Sequence, residues 1–187
     1  MVLAGGQSRR FGSAKARAVF RGSTLLEGAM DTLAALTPRL AVSVGDPRHP
    51  DVRSWIAESW PNVICLDDAR PEAGPLAGVE AGMQWAASLP VLVRAVDLPL
   101  AGPDVFQRLM DAWRTAVYGV DVVAAETPDG RLQPLLSLWT PGMLPRITAY
   151  LDSGRRSVLG LLDEAQVLRV RVDEQTVKNV NTRADLT

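Results

Sequence analysis

Histidine and cysteine are nearly absent from this chain of 187 residues, which holds one of each, His49 and Cys65. A disulfide framework is thereby excluded, and so is a metal site built on cysteines. His49 lies in Pro47-Arg48-His49-Pro50, a loop-like stretch that suits a surface residue better than a general base. Cys65, inside Val63-Ile64-Cys65-Leu66, reads as a small buried hydrophobe. No apolar run approaches the roughly 20 residues that cross a bilayer, and the first residues lack the basic-then-apolar layout of a signal peptide. The expectation is a cytoplasmic protein with no membrane span. An excess of charge is missing too: 20 basic residues face 21 acidic ones, for a net charge of −1, so no broad positive field gathers nucleic acid. Any anion must be bound by a local site. Repeats, linkers and low-complexity tracts are also missing, which predicts one domain over residues 1–187. That length suffices to bury about 70% of the surface the unfolded chain exposes.

What the chain has instead is an early glycine loop. Met1 to Ala4 is short and apolar, as the end of a buried strand is, and runs directly into Gly5-Gly6-Gln7-Ser8-Arg9-Arg10-Phe11-Gly12-Ser13-Ala14-Lys15. Paired glycines let the main chain approach a ligand, because no Cβ intervenes. Arg9, Arg10 and Lys15 add three cations to the bare backbone N–H groups, a combination that suits a polyphosphate. The loop is not a P-loop, since Gly12-Ser13-Ala14-Lys15 lacks that order, and it does not contain the Gly-x-Gly-x-x-Gly of a dinucleotide fingerprint. Taken alone it reads equally well as a glycine turn with solvated arginines.

Downstream, hydrophobic periodicity predicts alternating strands and helices. Ala16 to Phe20 reads as an extended connector, and Thr24-Leu25-Leu26-Glu27 as a capping box that opens a helix to about Leu36. Strands follow at Arg39 to Gly45 and Val63 to Leu66, with a short helix from Asp51 to Ser59 between them, Trp55 and Ile56 facing inward. Gly74-Pro75 opens a helix to about Ser88, on which Gly78 and Gly82 share a face suited to close packing. Pro90 to Val96 is an apolar strand ending in Asp97-Leu98-Pro99. A helix from Asp104 to about Val117, a strand from Asp121 to Glu126 and a turn at Thr127-Pro128-Asp129-Gly130 come next. Leu135 to Trp139, Pro141 to Leu151, a short helix ending near Glu164 and an alternating strand around Leu168, Val170 and Val172 complete the chain, with Thr182 capping a last turn. The expected architecture is a single three-layer α/β/α domain around a mostly parallel sheet.

An acidic residue at the carboxyl end of a central parallel strand lies where open α/β sheets bind ligands, which singles out Asp97. Mg²⁺ prefers one or two carboxylates plus substrate phosphates, so Asp97 is the candidate metal ligand, its alternative role being to cap the turn that follows. Lys15 as a point charge and Arg10 as a planar fork are the candidates for the β- and γ-phosphates, with Arg9 an exposed neighbour.

The order Leu-Ala-Gly-Gly-x-Ser-x-Arg-Phe-Gly-x-x-Lys at residues 3–15 resembles the signature loop of the nucleotidyltransferases, and its Gly-Gly form is similar to that of the molybdenum cofactor guanylyltransferases. The likeness continues in series through Gly74-Pro75-Leu76-Ala77-Gly78, Asp97-Leu98-Pro99, Gln133-Pro134-Leu135 and Asn179-Val180-Asn181-Thr182 with Asp185-Leu186, and covers essentially the whole chain. The resemblance implies a Rossmann-like fold of the nucleotide-diphospho-sugar transferase type and transfer of GMP from GTP to molybdopterin with release of pyrophosphate. It implies a guanine nucleotide held by Leu3, Ala4, Gly5, Gly6 and Lys15, with Asp67 seven residues before Gly74 as a further contact, a place Asp68 could serve equally. Asp97 becomes the Mg²⁺ ligand, and Lys15, Asp97 and Arg10 the catalytic set. Gln133, Arg155, Arg156, Asn179 and Asn181 would line the pterin half of the cleft, although a solvated loop explains the two arginines nearly as well. Cofactor-delivery proteins are the implied partners. One departure is Ser43, which stands where related sequences have a nucleotide-contacting asparagine; it keeps a hydrogen bond at shorter reach and leaves guanine against cytosine open. The alternatives are a cytidylyltransferase acting on the same cofactor, a sugar- or alditol-phosphate nucleotidylyltransferase, and a nucleotide-binding sensor without chemistry.

Overall fold

The computed structural model describes residues 1–5, 15–45, 50–68, 70, 72–117 and 119–186, so that Gly6, Arg9, Arg10 and His49 lie outside the described residues. The chain opens with β1 (Val2–Leu3), then a single 3-10 turn over Lys15–Arg17, a small hairpin of β2 (Val19–Phe20) and β3 (Ser23–Thr24), and helix α1 (Leu25–Ala34). The predicted capping box at Thr24 and Glu27 is present in both directions: the Thr24 hydroxyl accepts from the Glu27 amide at 3.1 Å, and the Glu27 carboxylate accepts from the Thr24 amide at 2.7 Å. The stretch expected as a plain connector holds the hairpin instead. Its turn, Arg21-Gly22, has φ of 50° and 93° at the two central residues, the paired left-handed geometry that a two-residue hairpin needs and glycine eases.

Strand β4 (Ala41–Gly45), helix α2 (Pro50–Ser59), strand β5 (Ile64–Asp67), helix α3 (Pro75–Ala86), strand β6 (Val91–Ala95) and helix α4 (Pro103–Thr115) follow in strict alternation. Then come β7 (Val122–Glu126), β8 (Leu132–Trp139), α5 (Met143–Asp152), α6 (Val158–Leu162) and β9 (Val167–Arg171). Seven of the strands form one sheet in the order β5-β4-β1-β6-β8-β7-β9. Only β8 runs antiparallel to its neighbours; every other pairing is parallel. Pro134 is tolerated inside β8 because the pairing with β6 ends at Leu136 and the pairing with β7 shifts register between Ser137 and Gln133, so Pro134 has a ladder partner on neither side. Helices α1 and α4 cover one face with Leu26, Leu33, Phe106 and Leu109, and Ile56 of α2 packs there; α3, α5 and α6 cover the other with Leu76, Met83, Ile147 and Leu161. The expected three layers and mostly parallel sheet are what is found. Cys65 departs from expectation: β5 is an edge strand, so its thiol is half-buried.

Helix α3 lies unusually close to the sheet. A Cβ placed on Gly78 would stand 2.6 Å from Ser43 Oγ and 2.7 Å from Leu3 Cδ2, and one on Gly82 would stand 2.0 Å from the Met1 sulfur. The close-packing reading of both glycines therefore holds. Because Ser43 is fixed on a buried strand, a Gly78→Val variant is expected to force it aside at a cost of about 2 kcal/mol, more than the few tenths valine gains in helix propensity. Thermal melting should show a Tm about 5 °C lower.

Candidate active site

The chain moves outward from β1 to β4 and β5, then returns to β6 on the other side of β1, so the loops leaving β1 and β6 emerge side by side at the carboxyl edge of the sheet. Ligands bind open α/β sheets at such reversals. Lys15, at the far end of the glycine loop, places its Nζ 2.9 Å from Asp97 Oδ2 and 3.3 Å from Asn181 Oδ1. The two charged side chains are 17% and 27% exposed, so their pair is partly shielded yet still open to a ligand. Residues separated by 82 and 166 positions along the chain meet at one ammonium group.

The carboxyl-terminal segment explains the Asn-Val-Asn spacing. Val180 is buried and its amide donates to the Asp97 carbonyl at 2.9 Å, which turns Asn179 and Asn181 outward on either side. Asp185 Oδ2 gathers the Asn181 amide at 2.9 Å, the Thr182 amide at 2.8 Å and the Thr182 hydroxyl at 3.0 Å. The two backbone N–H groups, Asn181 first, and the Thr182 hydroxyl hold this carboxyl below its usual range. The expected Thr182 cap is thus made by Asp185, with Thr182 as donor. Gln133 belongs to the same edge: it lies three residues beyond the Arg94–Leu136 pairing on β8, as Asp97 does on β6.

A second cluster lies at the ends of β1, β4 and β5. The amides of Ala4 and Gly5 both donate to the Ser43 carbonyl, at 2.8 and 3.0 Å, and a Cβ on Gly5 would stand 2.7 Å from the Gly45 backbone, so the two chains approach as only glycine allows. The Ser43 hydroxyl, buried under Gly78, donates to Asp68 Oδ1 at 2.9 Å. Burial raises the Asp68 carboxyl above its usual range; the Ser43 hydroxyl opposes that and neighbouring Asp67 adds to it. Asp67 itself is turned to the exposed edge, where it is paired with Arg53. Of the two aspartates the sequence offered, it is Asp68 that joins Ser43. In register, Ser43 pairs with Leu3 and Leu3 with Ala95, so two strand spacings of about 4.8 Å separate this cluster from the Asp97 level.

The two arginines expected at the pterin side part company. Arg155 stacks 4.0 Å over the Tyr150 ring and is paired with Glu164, so it is engaged locally and is not brought to Lys15 or Asp97. Arg156 reaches back to the loop before α3 and donates to the Glu72 carbonyl at 2.8 Å, where Glu72 has a left-handed φ of 59°. Arg70 of that loop binds Glu80 at 2.8 Å and Asp152 at 2.6 Å, and Thr148 donates to the buried Glu80 at 2.7 Å. This network, invisible as a motif, ties the Asp68 loop to α3 and α5.

Asp97 offers one partly exposed carboxylate, and no cluster of three or more His, Cys, Asp or Glu side chains that could hold a metal occurs among the described residues. A single carboxylate beside a carboxamide suits a hard cation that completes its shell with phosphate oxygens and water, and does not suit zinc.

A lysine meeting a strand-end aspartate at the reversal of a mostly parallel sheet, after a glycine-rich stretch that follows the first strand, is the arrangement of a nucleotidyltransferase. The chain belongs to the MobA-like NTP transferase family, whose domain model matches residues 1–168. It is 37% identical over 99% of its length to the probable molybdenum cofactor guanylyltransferase of Deinococcus radiodurans, of which 90% is covered. To the protein of the same name from Rhodopirellula baltica it is 32% identical over its full length, covering 88% of that relative. The fold matches the crystal structure of molybdopterin-guanine dinucleotide biosynthesis protein A from Archaeoglobus fulgidus with a TM-score of 0.80, at 22% identity over 99% of this chain and 93% of the other.

Proposed function

We propose that the protein transfers GMP from GTP to molybdopterin. An oxygen of the pterin's phosphate attacks the α-phosphorus in line, a new P–O bond forms there, the bond to the β-phosphate oxygen breaks, and pyrophosphate leaves with that electron pair. The observation that carries this reading is the Lys15–Asp97–Asn181 meeting at the sheet reversal, together with the family. Such a reaction needs positioning and charge neutralisation rather than a protein nucleophile. Asp97, with Asn181 beside it, would hold Mg²⁺, which when bound neutralises charge on the reacting phosphates. Lys15 would turn from Asp97 to the departing pyrophosphate, and Arg10 of the glycine loop would join it there. The nucleoside would lie along the chain end of β1 at Ala4 and Gly5, whose amides are held by the Ser43 carbonyl, and Asp68, oriented by Ser43, would accept from the N1–H and N2–H of guanine. Gln133 and Asn179, at the Asp97 edge of the sheet, would face the pterin, whereas Arg156, held on the Glu72 carbonyl, is left out of that role. We place the reaction in the cytoplasm, in one domain over residues 1–187, with delivery proteins handing over the pterin; no described helix is long and apolar enough to cross a membrane.

Calorimetric titration of GTP and CTP, with Mg²⁺ and without it, tests the reading. Metal-dependent preference for GTP is expected, and an Asp68→Asn variant should lose about tenfold or more of that preference, because the amide presents a donor where guanine presents donors. GTP affinity should be full above the raised pKa of Asp68 and decline as pH falls through it, since the protonated carboxyl loses an acceptor. Preference for CTP would give the reaction to the cytidylyl alternative, and absence of binding by either would refute it.

A further inference from the structure

Arg94 stands in the middle of β6, a central strand, with its side chain fully buried. Among the described residues it has no carboxylate partner. One arm of its guanidinium donates to the Gly28 carbonyl of α1 at 3.1 Å and the other to the Leu98 carbonyl at 2.9 Å, while Nε is buried without any hydrogen bond. Desolvation lowers its pKa to about 10, which still leaves it charged at neutral pH. A cation buried at such a cost, answered only by carbonyl dipoles, is poorly explained as a contribution to stability. Its two acceptors say what it does.

Leu98 follows Asp97 directly, and its carbonyl also accepts from the Ala101 amide at 3.2 Å, so Arg94 grips the turn that presents the Asp97 carboxylate. Gly28 lies in α1, whose first amide, on Leu25, donates to the Ala18 carbonyl at 2.9 Å; the Ala18 amide in turn donates to the Lys15 carbonyl at 3.0 Å. One guanidinium thus spans the scaffold of Lys15 and the scaffold of Asp97 from beneath. We infer that Arg94 is a positioning residue that sets the Asp97 turn against the Lys15 element and so fixes the metal-binding carboxylate. The inference rests on the reading of Asp97 as that carboxylate. A planar fork is needed because two acceptors on different elements must be held at once; lysine keeps the charge and reaches one of them, and methionine reaches neither.

The experiment compares Arg94→Lys, Arg94→Met and Asp97→Asn with the parent protein. Mn²⁺ binding in the presence of GTP is followed by electron paramagnetic resonance, amide exchange is followed at Ala101 and at Val93, and kcat and KM for GTP are measured. Loss of an outer support of a metal ligand costs about 10–100-fold in metal affinity or activity. Arg94→Met is expected to fall in that range for Mn²⁺ affinity and kcat, with KM for GTP within about twofold and Ala101 exchange accelerated while Val93 stays protected. Arg94→Lys should lie between, and decides the matter alone if the methionine variant does not fold. Parental Mn²⁺ affinity and kcat in Arg94→Lys and any folded Arg94→Met, with Asp97→Asn inactive, would overturn this inference and leave the assignment of Asp97 standing. So would equal acceleration of exchange at Val93 and Ala101, which marks a general stability role. Full turnover by Asp97→Asn would instead overturn the assignment of Asp97, and this inference with it.

Discussion

Asp97→Asn is expected to reduce kcat by about 10³-fold, equivalent to about 4 kcal/mol of transition-state stabilisation. Asparagine has the same shape and still offers Lys15 an acceptor, and the backbone bond from the Val180 amide to the residue-97 carbonyl is untouched. What disappears is the negative charge. The ion pair with Lys15 is partly exposed, so its loss costs at most about 1 kcal/mol of stability, far less than the expected loss of rate. Steady-state kinetics beside a melting curve separates the two, and a variant turning over at the parental rate would remove Asp97 from the mechanism. Metal titration adds a sharper test, since GTP binding by Asp97→Asn should no longer respond to Mg²⁺.

Lys15→Met should show effects of opposite sign on two quantities. In the free protein the Lys15 ammonium occupies Asp97 Oδ2 at 2.9 Å and competes with any cation for that oxygen. Removing it is expected to tighten Mn²⁺ binding to the nucleotide-free protein by about threefold, the equivalent of an ion pair at a partly exposed site. Turnover should nevertheless fall by about 10²-fold, because charge building on the leaving pyrophosphate loses a preset cation. A lysine that merely neutralised Asp97 structurally would leave kcat unchanged once the metal had taken its place. Parallel measurement of Mn²⁺ affinity and kcat therefore distinguishes a participant from a placeholder.

The local rules written in the chain were legible where one interaction decides the outcome. Thr24 and Glu27 satisfy each other's backbone groups three residues apart, and Pro75 sits at a first helical turn where its missing N–H is harmless, so both helix starts follow from spacing alone. The apolar runs of β4 and β6, and the aspartate ending the second of them, follow from burial on both faces of a central strand. The hairpin of β2 and β3 was less visible, since each strand has only two residues and its one signal is the pair Arg21-Gly22. Arg94 had a signal as well, a lone charge within Val91-Leu92-Val93-Arg94-Ala95-Val96, but no periodicity states which carbonyls it reaches.

By itself, the sequence determined that this is a mostly parallel α/β protein with a glycine loop, a delivered lysine and a strand-end aspartate, because turns, caps and hydrophobic period act over a few neighbours. Only the tertiary structure decided which of those groups meet. Asp67 and Asp68 are adjacent and chemically identical, yet alternation along the chain end of β5 sends one to Arg53 and the other to Ser43. Arg155 and Arg156 are likewise adjacent, and the packing of α5 keeps the first on Tyr150 while the second crosses to Glu72. Lys15, Asp97 and Asn181 become neighbours because β6 returns beside β1 and the final segment pairs with the Asp97 carbonyl, contacts set by the sheet order and not by any spacing in the chain.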